Sequence, residues 1–151
     1  MPGDYRYLDE STIVITTYWG TISLLDILDT ISRRLKELPE HHPRASVIDL
    51  SNARWTEIPP RFVHQEIERL RPALAPPKVR TLFIAPDEFF YGFARMYALV
   101  HVIYGAADVE VVRSWTEAEK SLGMDLTTAE KWSRQCAERD ESTDTTQIRT
   151  P

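Results

Sequence analysis

Val79-Arg80-Thr81-Leu82-Phe83-Ile84-Ala85 is nearly continuous in apolar residues and β-formers. A strand of this composition has no polar face to turn to water, so the stretch predicts a central strand covered by helices on both sides, as in a largely parallel sheet. Downstream, Asp87 is placed to cap a helix running to about Gly105, and Val109 to Val112 is the last strand candidate. Ser114-Trp115-Thr116-Glu117 then reads as a capping box for a short helix ending near Gly123. Thr127 with Glu130 repeats that signal ahead of a final helix carrying Ala129, Trp132 and Cys136.

Upstream, Pro76-Pro77 ends a helix opened by Pro59-Pro60, whose apolar stripe is Val63, Ile67, Leu70 and Leu74. Ala45 to Leu50 is a buried strand followed by the polar run Asp49-Leu50-Ser51-Asn52, read as the opening of a loop. Before it, Ser23-Leu24-Leu25-Asp26 offers a variant capping box. Leu24, Leu28, Ile31, Leu35 and Leu38 follow it at helical spacing until Pro39. Tyr5 to Leu8 and the alternating run Thr12 to Trp19 flank the short polar turn Asp9-Glu10-Ser11, which predicts a hairpin. The expected class is α/β, in the order ββαβαβαβα plus an extra C-terminal helix, with a largely parallel central sheet and an antiparallel N-terminal hairpin.

One domain over residues 1–139 is expected, with a core at about 4–122 and the extra helix at about 126–139. From Asp140 the chain is polar without apolar periodicity, so 140–151 reads as a disordered tail. With 42% hydrophobic and 10% aromatic residues in 151, a sizeable core is available. The net charge of −5 comes from acids and bases mixed along the chain, with no Lys/Arg block to neutralise many phosphates, which argues against nucleic acid as a partner. The longest apolar runs, Leu82 to Ala85 and Tyr97 to Val100, fall far short of the roughly 20 residues that span a bilayer, so no membrane insertion is expected. Met1-Pro2-Gly3-Asp4-Tyr5 lacks the basic region and apolar run of a secretory signal, and Cys136 is the single cysteine; a cytoplasmic location fits both.

Val47-Ile48-Asp49-Leu50-Ser51 closing the third strand, and Phe89-Phe90-Tyr91-Gly92-Phe93-Ala94-Arg95-Met96-Tyr97 opening the third helix, resemble the STAS-like bacterial proteins of the SpoIIAA-like group. The fold of that group is shared with a class of lipid-binding proteins, and the resemblance covers about residues 4 to 122. It implies a binding or regulatory domain. In anti-sigma-factor antagonists of this kind, the loop after the third strand ends in an acidic residue followed by a phosphorylated serine. Here Glu57 falls at the acidic position and Ile58 at the serine, so the resemblance stops short of that switch; Thr56 is the nearest hydroxyl.

The loop Ser51-Asn52-Ala53-Arg54-Trp55-Thr56-Glu57 is the leading site candidate, because open α/β sheets bind ligands beyond the carboxyl ends of their strands. Ser51 and Asn52 present hydrogen-bonding groups, Arg54 a planar cation and Trp55 an amphipathic ring. The competing reading is that Ser51 and Asn52 satisfy turn backbone while Trp55 covers the sheet edge. On the third helix, Phe89, Phe93, Met96, Val100 and Ile103 are assigned to the sheet. That leaves Tyr91, Arg95, Ala98 and Val102 outward, for the C-terminal helix, a second subunit or a ligand to cover. Tyr91 and Arg95, one turn apart, join the site list as a hydroxyl and a cation.

No G-x-S-x-G elbow and no glycine-rich phosphate loop is present, and the expectation is a non-catalytic module without cofactor or metal. Cys136 sits on an apolar stripe, where a packed thiol is the simpler reading, and His41-His42 beside Glu40 reads as a solvated loop. His64 and Glu68 read as a surface pair. The expected partners are a second copy in a homodimer and a regulatory protein, with a small amphiphile such as a lipid or fatty acid as the alternative.

Overall fold

The computed structural model describes residues 2–8, 12–37, 43–55, 65, 79–103 and 108–147. Strands β1 (Gly3–Leu8) and β2 (Ile13–Ile22) form the expected hairpin, followed by α1 (Leu24–Glu37) and β3 (Ala45–Trp55). Next come β4 (Arg80–Ile84), α2 (Glu88–Ile103), β5 (Asp108–Val112), α3 (Trp115–Leu122) and α4 (Thr127–Gln147). The expected helix from Pro59 to Leu74 falls outside the described residues apart from helical Gln65, as do Thr56, Glu57, the histidines at 41, 42 and 64, and Glu68.

The five strands lie in sequence order, β1-β2-β3-β4-β5, with β1 antiparallel to β2 and every later neighbour parallel. Right-handed crossovers between sequential parallel strands place their helices on one face of the sheet. Accordingly Tyr18, Ile22, Leu50, Ala53, Phe83 and Ala85 pack with Phe90 and Ala94 of α2 and with Ile27 of α1. Alternate residues of the same strands point the other way. Ile13, Ile15, Val47, Leu82, Ile84 and Val112 pack with Trp115 and Ala118 of α3 and with Leu126 and Ala129 at the start of α4. The buried strand read from Leu82 to Ala85 thus lies between two helical layers.

The caps follow sequence logic with local shifts. Ser23 and Asp26 bond reciprocally ahead of α1, and Asp87 Oδ1 accepts from the backbone N–H of Phe89 and Phe90 to start α2. Ser114 Oγ accepts from Glu117 N–H, while the Glu117 carboxylate reaches back to Arg113 N–H rather than to Ser114. Gly123, at φ 66°, closes α3 in the left-handed conformation. The Thr127–Glu130 box is not used. Asp125 caps α4 instead, and two hydrogen bonds from Thr127, side chain first, hold its carboxyl below the usual carboxylate range.

Four expectations need correction. Ser51 to Trp55 is strand and not loop, because β2 runs on past Thr17 and offers a pairing edge that β3 follows. The register jumps from Thr17↔Asp49 to Trp19↔Asn52, so β3 accommodates one extra residue as a bulge. The tail reading for 140–151 fails through Gln147, since α4 continues as helix to that residue. No Gly or Pro interrupts that stretch, so the helix anchored on the sheet through Leu126 and Ala129 extends through it. Among the described side chains of α2 the buried positions are Phe90 and Ala94, whereas Phe89 is 56% and Met96 37% exposed. Phe90 and Ala94 are the residues packed against the sheet, beside Phe83 and Ala85. Coverage of the outer side of α2 by the C-terminal helix also fails, because α4 packs on the opposite face against β2 and β3.

Candidate functional site

Where α4 crosses the middle of β2 and β3, three hydroxyls and a carboxylate meet. Ser133 of α4 donates to Asp49 Oδ2, and both side chains are 1% exposed. Because the single Ser133 proton goes to Asp49, the 2.6 Å contact between Thr17 Oγ1 and Ser133 Oγ has Thr17 as donor. Ser51 gives Asp49 Oδ1 two further hydrogen bonds, from its hydroxyl and from its backbone N–H at 2.9 Å. Thr17 and Asp49 are register partners, which is why both reach the same helix. The chain of donors ends on the Asp49 carboxylate and holds no histidine, so it acts as a latch between sheet and helix.

Beyond the latch the strands run out from under α4 and leave an open cleft of about 360 Å³. Its β2 wall is Trp19, Gly20 and Thr21, its β3 wall Ser51 to Arg54, and its helical wall Ala137, Asp140 and Glu141. Gly20, at φ +64°, takes a left-handed conformation just past the bulge, and an added Cβ there would have no atom within 4 Å. The glycine is therefore needed for backbone direction and not for space. The side chains of Asn52 and Arg54 are exposed and have no hydrogen-bond or ion-pair partner among the described residues.

A second cleft, of about 350 Å³, adjoins the first and shares Trp19 and Asp140 with it. Arg33 and Arg139 stand on its rim and Cys136 on its wall. Arg33 is committed to the Gly3 carbonyl at 2.9 Å, to Asp29 at 3.1 Å and to the face of Tyr5. Burial, and secondarily Asp4, pushes the Cys136 thiol above its ordinary value, so it is a poor nucleophile there. Trp19 is only 9% exposed, and its indole N–H has no acceptor among the described residues.

Of the six candidates read from sequence, Ser51, Asn52 and Arg54 come together in the first cleft, Ser51 with its hydroxyl already bound to Asp49. The Trp55 backbone ends β3 opposite Ile22. Tyr91 and Arg95 belong to the other side of the sheet, where Tyr91 packs with the α2 cluster. Arg113 lies 3.7 Å and Arg95 5.8 Å from the centre of the Tyr91 ring, and Arg113 is paired with Glu88 at 2.7 Å. That stack secures the start of α2 and does not join the cleft.

Sequence reasoning missed Thr17, Trp19, Ser133, Ala137 and Asp140. Ser133 carried a usable signal: it stands four residues after Ala129 and three before Cys136, so a hydroxyl on that stripe needs a buried partner. The strand order contains no reversal, so the crevice usual for doubly wound sheets does not arise, and the cleft is made by α4 instead. Among the described residues no three His, Cys, Asp or Glu side chains converge on a metal-sized site, and no helix is long and apolar enough to cross a membrane. No family model matches the sequence, and no curated protein matches it.

Proposed function

We propose that the chain is a non-catalytic binding module of STAS-like architecture that recognises its partner in the cleft between β2, β3 and α4. One observation carries the reading: the side chains of Asn52 and Arg54 stand exposed in that cleft without partners among the described residues. The groups with catalytic potential, by contrast, are committed to one another. Asp49, Ser133 and Thr17 are each at most 1% exposed, beyond the reach of a substrate, the hydroxyl of the exposed Ser51 is held by Asp49, and no histidine bonds to any of them among the described residues. The sequential strand order behind an opening hairpin supports the STAS-like reading, and a single buried thiol suits a reducing cytoplasm.

A screen of small polar fragments against the ¹⁵N-labelled protein tests the site. Hits are expected to shift the amides of residues 20–21, 51–54 and 137–141, and to weaken severalfold in a folded Asn52→Ala/Arg54→Ala variant. Hits that leave those amides unmoved contradict the assignment.

A second reading, self-association as a homodimer, has its own support in the exposed Phe89 and Met96 on α2. Their side of the helix receives no cover from α4. Native mass spectrometry across a concentration series is expected to show a dimer that Phe89→Glu dissociates. A monomer retaining a lipid-sized mass favours the amphiphile carrier instead.

A further inference from the structure

We infer that the cleft between β3 and α4 takes a small zwitterion, a molecule with a carboxylate and an ammonium group a few bonds apart, as in a free α-amino acid. This inference rests on the cleft being the recognition site. Its facing walls carry opposite charges that do not meet. Arg54 stands exposed on β3 and Asp140 exposed on α4, both line the same 360 Å³ space, and neither has an ion-pair partner among the described residues. A ligand with both signs bridges such a pair; one with a single sign attracts one wall and repels the other.

The chemistry of each wall fits this. A guanidinium matches a carboxylate with two parallel hydrogen bonds, and the adjacent Asn52 amide adds a donor to the same side. Across the cleft the Asp140 carboxylate accepts from an ammonium group. The small Ala137 keeps the space between open, while Trp19 offers an apolar face for a short side chain. A volume of 360 Å³ is at the small end of ligand sites, which favours a single amino acid over a peptide.

The test is a titration of the full chain, followed by amide shifts and calorimetry, with L-alanine, L-serine, propionate, ethylamine and neutral acetamide. Alanine and serine are expected to saturate, to move the amides of Gly20, Asn52, Arg54, Ala137 and Asp140, and to bind more tightly than the other three. Arg54→Gln and Asp140→Asn, whose melting temperatures should stay near that of the parent, are each expected to weaken alanine binding by up to about fivefold, the scale of an exposed ion pair. If propionate, ethylamine or acetamide binds the same amides as tightly as alanine, the zwitterion inference falls and the cleft survives as a binding site. If none of the five probes moves those amides, both fall.

Discussion

The Ser133 hydroxyl on α4 donates to the buried carboxylate of Asp49 on β3, across 84 positions of sequence. Around this contact α4 presents small residues, Ala129 and Cys136, so its hold on the sheet relies on polar bonds as well as apolar area. Ser133→Ala removes the donor to Asp49 and the acceptor of Thr17 together, leaving buried polar groups unpaired. The expected loss is about 1–3 kcal/mol in urea denaturation, with an unchanged denaturant slope. A loss below about 0.5 kcal/mol, the range of an ordinary surface substitution, would show the latch to be idle.

Gly20 sits in the left-handed region with open space where a Cβ would go. Gly20→Ala should therefore cost about 1–2 kcal/mol from backbone strain alone. Gly20→Asn should cost less, because asparagine tolerates that region. Equal losses for the two substitutions would place the cause elsewhere.

Burial pushes the Tyr18 hydroxyl up to about 12, with the hydrogen bond to Thr30 and the charges of Arg34 and Arg33 working against the rise. Tyr5 also rises to about 12, through desolvation and then its hydrogen bond to Glu37. The folded state thus holds these protons more tightly than the unfolded state, whose tyrosines titrate near 10. The associated stability is complete below pH 10 and is lost as the pH climbs from about 10 to 12. For buried Tyr18 the loss is on the order of 2–3 kcal/mol. Tyr18→Phe should flatten this alkaline decline, measured as unfolding free energy against pH; an equally steep decline contradicts the assignment.

Much of the fold was legible because its signals were local. The apolar run from Leu82 to Ala85, the caps at Ser23, Asp87 and Ser114, and the stop at Gly123 each announce an element within a few residues. The misreadings arise where a distant partner decides. Ser51-Asn52 looks like a turn, yet the overhanging end of β2 holds it in the sheet through a bulge. The register of α2 was read from its apolar residues alone, whereas packing against the sheet turns Phe90 and Ala94 inward and leaves Phe89 out. The site was half legible for the same reason. Asn52 and Arg54 are neighbours on one strand, but the wall opposite them comes from a helix about ninety residues later, whose Asp140–Glu141 part reads as a polar tail.

Cys136 is buried with its thiol pushed up by desolvation, so the thiolate is scarce and poorly accessible in the folded protein. Its reaction with a disulfide reagent near neutral pH is expected to be about tenfold or more slower than in denaturant. Comparable rates in both states would mean that α4 leaves the sheet readily.

The most direct test of the cleft as the recognition site is to fill it. Ala137 lines the helical wall and is only half-buried, so Ala137→Trp should fold normally while placing an indole in the space beside Arg54. Fragment binding to ¹⁵N-labelled parent and variant is compared by amide shifts. The account predicts that fragments bind at residues 51–54 in the parent and lose that binding in the folded Ala137→Trp variant. Fragments that bind both proteins equally, or that cluster elsewhere on the sheet, would contradict it.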